Sequence, residues 1–310
     1  MSQAALGEAG EGGVAVRRRL SDREGFLAGV CLLPSVVYIV ALVALPFFLS
    51  IAFSFSDVTA GDPGFDWAGF GNFQRIFHDP VFWRSLQNTL LFSAISMVLI
   101  VIFGKVLALI LVADFRGKWL VRFLVLLPWT TPVSLSTIAW LWMLDSIYSP
   151  IDWLLRHAGV IQGNMYWLGR PRLAMASVIA VHVWRLVPLA AVIIMAGLVA
   201  IPGEVQEQAM VDGAGFWRRL FEITLPLTLP VIAVAALFGA IFTFTDMTVV
   251  YILTRGGPTN STQVLASWSF FKGIEGGDVA QGAAIALLLF PLLLAAAITI
   301  LRWVRRMEVL

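Results

Sequence analysis

The sequence predicts an all-α polytopic membrane protein with six transmembrane helices and one long polar segment between the fourth and the fifth. Of its 310 residues, 59% are hydrophobic and 13% are charged, whereas soluble domains hold about 45–50% apolar and about 25% charged residues. The mean hydropathy is +0.88. The apolar residues fall into blocks of about 20 residues or more, which is the length that a helix needs to cross a bilayer.

The composition also excludes several kinds of site. A single cysteine, Cys31, excludes an internal disulfide. Only three histidines are present, and no His/Cys cluster has the spacing of a metal site. The sequence has no G-x-x-x-x-G-K-[ST] phosphate loop, so we expect no ATP hydrolysis by this chain. We therefore expect no catalytic residues, no bound metal and no nucleic-acid partner.

The first half of the chain holds three predicted spans. Residues 1–25 are rich in glycine and alanine and then basic, which predicts a flexible cytosolic tail. The apolar run 26–55 is longer than the roughly 7–15 residues of a signal-peptide core, so it is a retained first span. A turn-rich loop separates it from the second span, 86–112. The third span, 123–144, contains Pro128 and Pro132, which a bundle tolerates where neighbours satisfy the freed carbonyls.

The second half holds the other three spans. A loop with Trp153, Tyr166 and Trp167, which suit a membrane interface, precedes the fourth span at 173–200. The polar segment follows at 201–226, and the fifth span at 227–253. A Gly-Gly-Pro turn then leads into an external segment and the sixth span, 282–301. The transmembrane domain thus covers residues 26–305, and 306–310 form a cytosolic tail.

The polar segment 201–226 is predicted to form two short helices joined at glycine. Pro202 suits a first-turn position, where its missing N–H is not needed, and Glu207 lies near the positive end of the helix dipole. Gly213 and Gly215 can adopt positive φ and end this helix. The second helix has an apolar stripe made of Phe216, Leu220 and Ile223. On its opposite face, Arg218 and Glu222 are four residues apart and can form an ion pair.

The basic residues indicate that both termini lie in the cytosol. Inner segments carry more of them than outer segments, as the positive-inside rule requires. The inner set is Arg17, Arg18, Arg19, Arg23, Arg116, Lys118, Arg122, Arg218, Arg219, Arg302, Arg305 and Arg306. The outer set is Arg75, Arg84, Arg156, Arg170, Arg172, Arg255 and Lys272. This orientation also places the polar segment 201–226 in the cytosol.

The polar segment resembles the EAA loop of ABC-importer permeases. The matching pattern is Glu207-x-Ala209, then Asp212-Gly213-Ala214, then Ile223-x-Leu225-Pro226. The chain departs from the family at Gln208, where alanine is usual. The resemblance implies a coupling helix that docks into a cleft of an ATP-hydrolysing subunit. An interfacial amphipathic helix that only ties two spans together is the alternative.

A second stretch resembles the end of the fifth span in carbohydrate-uptake permeases. It comprises Phe244-Thr245-Asp246, Leu253-Thr254-Arg255-Gly256-Gly257-Pro258 and Ser261-Thr262, with Arg255 where glycine is usual. Gly71-Asn72-Phe73 and Asn88-Thr89 resemble the first external segment of sugar-type permeases. Together these matches make the chain similar to one permease subunit of a binding-protein-dependent ABC importer, related to the maltose and glycerol-3-phosphate systems.

This resemblance implies a type I importer fold and a set of partners. We expect a second homologous permease subunit, an ABC ATPase dimer that binds ATP and Mg²⁺, and an extracytoplasmic solute-binding protein. The chain itself would carry no cofactor. It would lie among the lipids of a bacterial or archaeal cell membrane and pass a sugar or sugar-like solute into the cytosol.

Polar residues within the spans are candidates for the substrate path, because charges there are costly. Asp246 is predicted to lie about seven residues inside the outer end of the fifth span. Its carboxylate can accept hydrogen bonds from two hydroxyls of a polyol. It can equally be a structural partner of Arg185. Arg185 can pair with Asp246 or contact an anionic ligand. His182 is expected to make a packing hydrogen bond, and Lys105 to snorkel to the headgroups.

Several other side chains share this path. Trp140, Trp142 and Trp184 can stack on sugar rings or simply pack. The Thr245 hydroxyl can meet a solute or bond its own helix. Three alternatives to sugar import remain open on the sequence: an ABC permease for another solute class, an ion-coupled secondary transporter, and an integral-membrane enzyme using Asp246 and His182.

Overall fold

The computed structural model describes residues 24–62 and 64–308, and side chains within 28–62 and 64–306. In these ranges the regular secondary structure is helical, and one isolated antiparallel bridge joins Ser56 and Trp67. The prediction of an all-α protein is therefore confirmed. The tail prediction for 1–25 falls mainly on residues outside the described ranges, including Arg17, Arg18, Arg19 and Arg23.

Fourteen α-helices follow one another in these ranges. They are α1 (Glu24–Ile39), α2 (Leu45–Ser54), α3 (Gly71–His78), α4 (Pro80–Val112), α5 (Lys118–Thr130), α6 (Val133–Met143), α7 (Pro150–His157), α8 (Pro171–Val199), α9 (Gly203–Val211), α10 (Phe216–Arg218), α11 (Leu225–Thr245), α12 (Thr248–Leu253), α13 (Leu265–Phe270) and α14 (Val279–Glu308). Three π-helical turns lie at Val40–Ala44, Arg219–Thr224 and Phe271–Glu275.

Five helical runs in the described part of the chain are long and apolar enough to cross a membrane. They are Ala28–Ser54, Pro80–Val112, Pro171–Val199, Phe216–Thr245 and Val279–Arg306. The bent pair α5 and α6 makes a sixth if it counts as one span. The protein is thus a multi-pass membrane protein.

The chain divides into two compact units, residues 1–49 and 50–310. In the first, the described side chains from Ala28 to Leu49 are almost all exposed, including Leu32, Tyr38 and Phe48. An apolar helix with this surface is suited to lipid. In the second unit, the main core is built from α4, α8 and α11 and includes Phe92, Ile100, Leu186 and Ile194.

The third predicted span is not one straight helix. α5 ends at Thr130, α6 begins at Val133, and the two are bent by 95°. Thr131 has an extended backbone, with φ −73° and ψ 138°, because a residue before proline is disfavoured in the helical region. Pro132 therefore breaks the span, whereas Pro128 lies within α5.

The polar segment 201–226 is called the coupling segment below, after the role that its resemblance implies. Its predicted boundary with the fifth span is wrong. Instead of a separate helix ending at Pro226, one helical run continues from Phe216 to Thr245. Proline lacks an N–H and clashes with the carbonyl four residues before it, here that of Glu222. The π turn Arg219–Thr224 contains Glu222, and its wider spacing accommodates the ring. The π turn Val40–Ala44 precedes Pro46 in the same way.

The outer end of the fifth span also differs from the prediction. The helix stops at Thr245, not at 253, because Asp246 is extended with ψ 114°. α12 then restarts, and the Asp246 carboxylate accepts hydrogen bonds from the backbone N–H groups of Thr248 (2.7 Å) and Val249 (3.3 Å). Asp246 therefore lies at a helix break and not within a continuous helix.

Two asparagines from the predicted external motifs hold the loops. Asn72 is fully buried, and its Nδ2 donates to the carbonyls of Ser54 (2.9 Å) and Ser56 (2.7 Å). Asn88 on α4 donates to the carbonyls of Asn260 and Gln263, both at 2.9 Å. Their roles in this chain are structural.

Trp167 also differs from its prediction as an interface aromatic. Its Nε1 donates to the buried carboxylate of Asp152 at 2.7 Å, and its ring packs against the main core. Asp152 also accepts from the Met165 N–H at 2.7 Å. Trp153 and Tyr166 are exposed, at 52% each.

Glycines allow the closest approaches between helices. A methyl group on Gly282 of α14 would lie 2.8 Å from the backbone nitrogen of Gly273, and one on Gly104 of α4 would lie 2.8 Å from the Ala190 side chain on α8. Small residues at such crossings let membrane helices pack by van der Waals contact. The fold depends on these positions remaining small.

We expect Gly282→Ala to lower stability, because the new methyl group meets backbone atoms that cannot rotate away. Overpacking of this kind costs about 1–3 kcal/mol. Thermal unfolding of the purified protein in detergent would measure it. Gly163→Ala is the matched control, since nothing lies within 4 Å of its new methyl group. Equal melting temperatures for the two variants would contradict the expected close contact.

Candidate functional site

The coupling segment is a short helix closed by a glycine turn. α9 ends in a pair of hydrogen bonds from Ala214 N–H to the Ala209 carbonyl (2.9 Å) and from Gly213 N–H to the Met210 carbonyl (3.1 Å). This is a Schellman motif, which places the residue after the C-cap in the left-handed region. Gly213 occupies that position, with φ +76°. The Asp212-Gly213-Ala214 pattern is thus the sequence of this turn.

The prediction of a positive φ holds for Gly213 but not for Gly215. Gly215 has φ −67° and forms the extended N-cap of the following helix. Pro202 is likewise an N-cap residue and not a first-turn residue. The Arg218–Glu222 ion pair forms as predicted, with Arg218 Nε 2.9 Å from Glu222 Oε2.

The coupling segment exposes both acidic and apolar groups. Glu207, Gln208 and Asp212 are exposed, whereas Ala209 is only 7% exposed and fixes the inner face of the turn. Ile223 and Leu225 are half-buried, and Pro226 is exposed. Around them lies an exposed apolar surface made of Met210, Val211, Phe216, Trp217 and Phe221. Val211, at 87%, has the largest exposure of these.

A chain of hydrogen bonds joins the coupling segment to the buried side of the spans. Gln206 Nε2 donates to Thr224 Oγ1 (3.1 Å), and Thr228 Oγ1 donates to the Thr224 carbonyl (2.6 Å). Lys105 Nζ on α4 then donates to Thr228 Oγ1 at 2.8 Å. We refer to Gln206, Thr224, Thr228 and Lys105 as the polar relay.

The expectation that Lys105 snorkels to the headgroups is wrong. Lys105 is 8% exposed and Thr228 is fully buried. The Lys105 amine is directed to α11, where it donates to Thr228 Oγ1. Snorkelling was expected because Lys105 lies near the inner end of its predicted span. That position along the helix does not show towards which neighbouring helix the side chain points.

A second polar cluster lies where α11 breaks. Arg185 Nη2 donates to Asp246 Oδ2 at 2.6 Å, and His182 Nδ1 lies 3.1 Å from the same oxygen. His182 Nε2 lies 2.9 Å from Thr243 Oγ1. His182 is fully buried, and the Asp246 side chain is 5% exposed. Both residues of α8 therefore pair with Asp246, and we call these four residues the break cluster.

The hydrogen-bonding capacity left in the break cluster belongs to Arg185. Both Asp246 oxygens already accept, one from α8 side chains and the other from the N–H groups of α12. The Nε of Arg185 is buried and has no hydrogen-bond partner among the described residues. Its side chain retains 14% exposure. Arg185 is therefore the most exposed of the four side chains, and a solute could reach the break cluster at its exposed part but not at the buried Nε.

The aromatic candidates are only partly brought together. The rings of Trp140 on α6 and Trp184 on α8 meet edge to face with centroids 5.4 Å apart. Trp142 is 62% exposed and makes no ring contact with them among the described pairs. Thr245 is exposed, and its hydroxyl donates to the Ile241 carbonyl of its own helix at 2.8 Å. It is thus directed away from the break cluster's hydrogen bonds.

Two further aromatic contacts were not predicted from the sequence. Phe92 on α4 covers the His182 ring at a centroid distance of 4.9 Å, and Trp129 on α5 meets Phe242 on α11 at 5.3 Å. Phe242 lies on α11, four residues before Asp246. Because residues four apart share a helix face, this spacing could have identified Phe242 as a neighbour of the break cluster.

Arg255, where the resemblance leads us to expect glycine, lies in the turn after α12. Arg255 has φ +49°, a conformation that favours glycine. Its guanidinium lies over the Tyr251 ring and bonds Glu275 at 2.7 Å. The Tyr251 hydroxyl, and then the Glu275 carboxylate, raise the pKa of Arg255. This exposed arginine therefore stays charged.

Two acidic groups outside the spans have a lowered pKa. The Lys118 ammonium, which bonds Asp114 at 2.8 Å, lowers the pKa of that carboxyl. Hydrogen bonds from the N–H groups of Tyr148 and Ile147 lower the pKa of Asp145. Among the residues that the structure describes, no group of three or more His, Cys, Asp or Glu side chains could hold a metal ion.

Known proteins match most of this chain. Residues 100–308 match the family described as binding-protein-dependent transport system inner membrane component. Over 288 residues the chain is 33% identical to the sulfoquinovosyl glycerol transport system permease protein SmoG of Agrobacterium fabrum, with 92% of each chain covered. It is 32% identical over 284 residues to the trehalose/maltose transport system permease protein MalF of Thermococcus litoralis, covering 92% of this chain and 95% of that protein.

The fold is also shared with a solved structure. A bacterial alginate ABC transporter, crystallised in complex with an alginate pentasaccharide-bound periplasmic protein, contains a chain that superimposes with a TM-score of 0.79. The two are 21% identical, and 93% of this chain and 98% of that chain are covered. The predicted importer-permease fold is therefore confirmed, and the chain belongs to the family of inner membrane components of binding-protein-dependent transport systems.

Proposed function

We propose that this chain is the membrane-spanning permease subunit of an ATP-driven importer for a sugar or sugar-like solute. The observation that carries the proposal is the coupling segment. It presents acidic and apolar side chains together between two spans, with Glu207 exposed and Val211 87% exposed. Exposed apolar surface beside polar groups is typical of a protein-docking site. The partner that fits is the subunit that hydrolyses ATP.

The sugar assignment is supported by the relatives and by the chemistry of the path. Two relatives are named as transport system permeases for sulfoquinovosyl glycerol and for trehalose/maltose. In this chain, Arg185 offers a partly exposed guanidinium side chain, and the nearby aromatic rings offer apolar faces. Sugars combine hydroxyl acceptors with apolar C–H faces, so both kinds of group suit them.

The proposed assembly follows from the family's architecture. A second homologous permease would complete the pathway, an ATPase dimer would bind ATP and Mg²⁺, and an extracytoplasmic protein would deliver the solute. The basic residues at 116, 118, 122, 218 and 219 lie at the same end of the spans as the coupling segment. This charge bias favours cytosolic termini and a cytosolic coupling segment.

Coupling can be traced through the chain itself. In the proposed cycle, closure of the ATPase dimer moves α9, and Gln206 pulls on Thr224 in the π turn. Because the run from Phe216 to Thr245 is one helix, the movement reaches Asp246 at its far end. Asp246 is bonded to α8 through Arg185, so both spans that flank the solute path respond together.

We expect the double variant Glu207→Lys and Val211→Asp to release the ATPase subunit. It reverses an exposed charge and places a carboxylate in the apolar contact, while α9 keeps its backbone hydrogen bonds. Co-purification of the ATPase with the tagged permease should fall by about ten-fold or more, as for loss of an interface hot spot. Uptake should fall with it.

The control for this variant is Asp66→Lys, a charge reversal on an exposed loop residue at the other end of the spans. It should leave co-purification unchanged. If the double variant retained both the ATPase and wild-type uptake, the coupling role of α9 would be ruled out.

We expect Arg185→Lys to weaken transport while preserving assembly. Lysine can still pair with Asp246, but it lacks the planar guanidinium, which bonds Asp246 through Nη2 and keeps further N–H groups on a partly exposed side chain. Losing charged hydrogen bonds to a solute costs about 1.5–3 kcal/mol, so the KM for uptake should rise by about ten-fold or more. Arg116→Lys on the exposed surface is the matched control. An unchanged KM in Arg185→Lys would contradict solute contact by Arg185.

We expect Lys105→Met to uncouple ATP hydrolysis from uptake without lowering stability. Methionine fills similar space, and removing a buried amine relieves its desolvation cost. Interrupting the polar relay should lower the solute molecules moved per ATP by about three-fold or more. Lys118→Met, at a half-exposed lysine with a surface ion pair, should leave this ratio unchanged. Wild-type stoichiometry in Lys105→Met would exclude the relay from coupling.

A further inference from the structure

A cavity of about 410 Å³ lies between the amino-terminal ends of α4 and α8, apart from both the coupling segment and the break cluster. Its walls come from these two helices, and the turn that carries Ser261 closes one side. Both helices begin at this end, at Pro80 and Pro171. The cavity therefore opens near the ends of the spans.

The cavity is polar at its mouth and apolar along its length. On α4, Arg84 is followed by Leu91 and Ile95 at spacings that keep all three on one face. On α8, Arg172 is followed by Ile179, two turns further along. At about 1.5 Å per residue the α4 stripe is about 16 Å long. A ligand that fills it has an acidic head and an apolar tail.

Positive charge at the mouth is not neutralised within the chain. Arg84 and Arg172 are exposed, and neither makes an ion pair among the residues that the structure describes. No acidic residue lines the cavity. The first turn of α8 also lacks a side-chain cap, since its N-cap is Arg170. Uncapped N–H groups at a helix start attract anions.

Ser261 supplies an independent sign of a missing ligand. It is 5% exposed, lines the cavity, and its Oγ has no hydrogen-bond partner among the described residues. A buried hydroxyl without a partner costs free energy. The turn is held in place by Asn88, which bonds the carbonyls of Asn260 and Gln263 on either side of Ser261. A phosphate oxygen at the mouth would satisfy it.

We propose that this cavity is a binding site for an acidic phospholipid. The phosphate headgroup lies between Arg84 and Arg172 and accepts a hydrogen bond from the Ser261 hydroxyl, and one acyl chain lies along Leu91, Ile95 and Ile179. The same head chemistry occurs in a free phosphate. The apolar stripe distinguishes them, because a small anion would leave it unused. This site does not depend on which solute is transported.

The test uses the full-length chain with the subunits that accompany it, delipidated and then incubated in mixed micelles of phosphatidylglycerol and phosphatidylcholine with the same acyl chains. The bound lipid is measured by mass spectrometry after washing. Phosphatidylglycerol should be enriched in the wild-type protein. Arg84→Gln with Arg172→Gln should reduce the enrichment by about 25-fold, since each of the two basic groups near a headgroup contributes about a factor of five.

Two more variants separate the parts of the site. Ala176→Trp keeps every charge but fills the apolar stripe from α8, so it should also abolish enrichment. Arg170→Gln is the control, because Arg170 lies beside Tyr166 and outside the cavity lining; it should behave as the wild type. Equal enrichment in the Arg84/Arg172 variant and the Arg170 variant would overturn the proposal. Displacement by excess inorganic phosphate, with no effect of Ala176→Trp, would show a small-anion site and overturn the lipid assignment.

Discussion

The pairing of Asp246 with α8 is the interaction on which the arrangement of the spans depends. A carboxylate enclosed by apolar helices is stable only when charge and hydrogen bonds compensate its lost hydration. Here one oxygen accepts from Arg185, with His182 beside it, and the other accepts from the start of α12. The same group thus ends one helix, begins the next, and ties both to a neighbouring span.

The two ends of the long helix Phe216–Thr245 therefore differ in character. At one end lie the π turn and the exposed coupling segment, and at the other lies the fully bonded Asp246. Between them the helix is apolar, and Thr228 supplies its buried hydrogen bond to Lys105. In the proposed cycle, movement at the coupling end would meet hydrogen-bonded contacts at Lys105 and Asp246 and would therefore be transmitted to α4 and α8.

Much of the fold could be predicted because composition and block length report directly on a membrane environment. The Asp212-Gly213-Ala214 turn was also predictable, since only a left-handed position requires glycine there. The helix breaks at Thr131 and Asp246 could not be predicted from the sequence. A proline or an aspartate shows where a helix can break, but it does not show whether the break occurs. The direction of Lys105 depends on where α8 and α11 pack around α4, which the local sequence does not contain.

The π turn before Pro226 has a consequence for the register of the whole segment. It holds one residue more than the α-helical turn that it replaces, and each residue turns a helix by about 100°. The faces of Phe216–Arg218 and of Leu225–Thr245 are therefore offset by about that angle. Insertion or deletion of a single residue in Arg219–Thr224 would rotate the aromatic surface of the first part around the axis of the second. The number of residues in this turn therefore sets the direction in which the aromatic surface faces, just as the side chains set the chemistry of that surface.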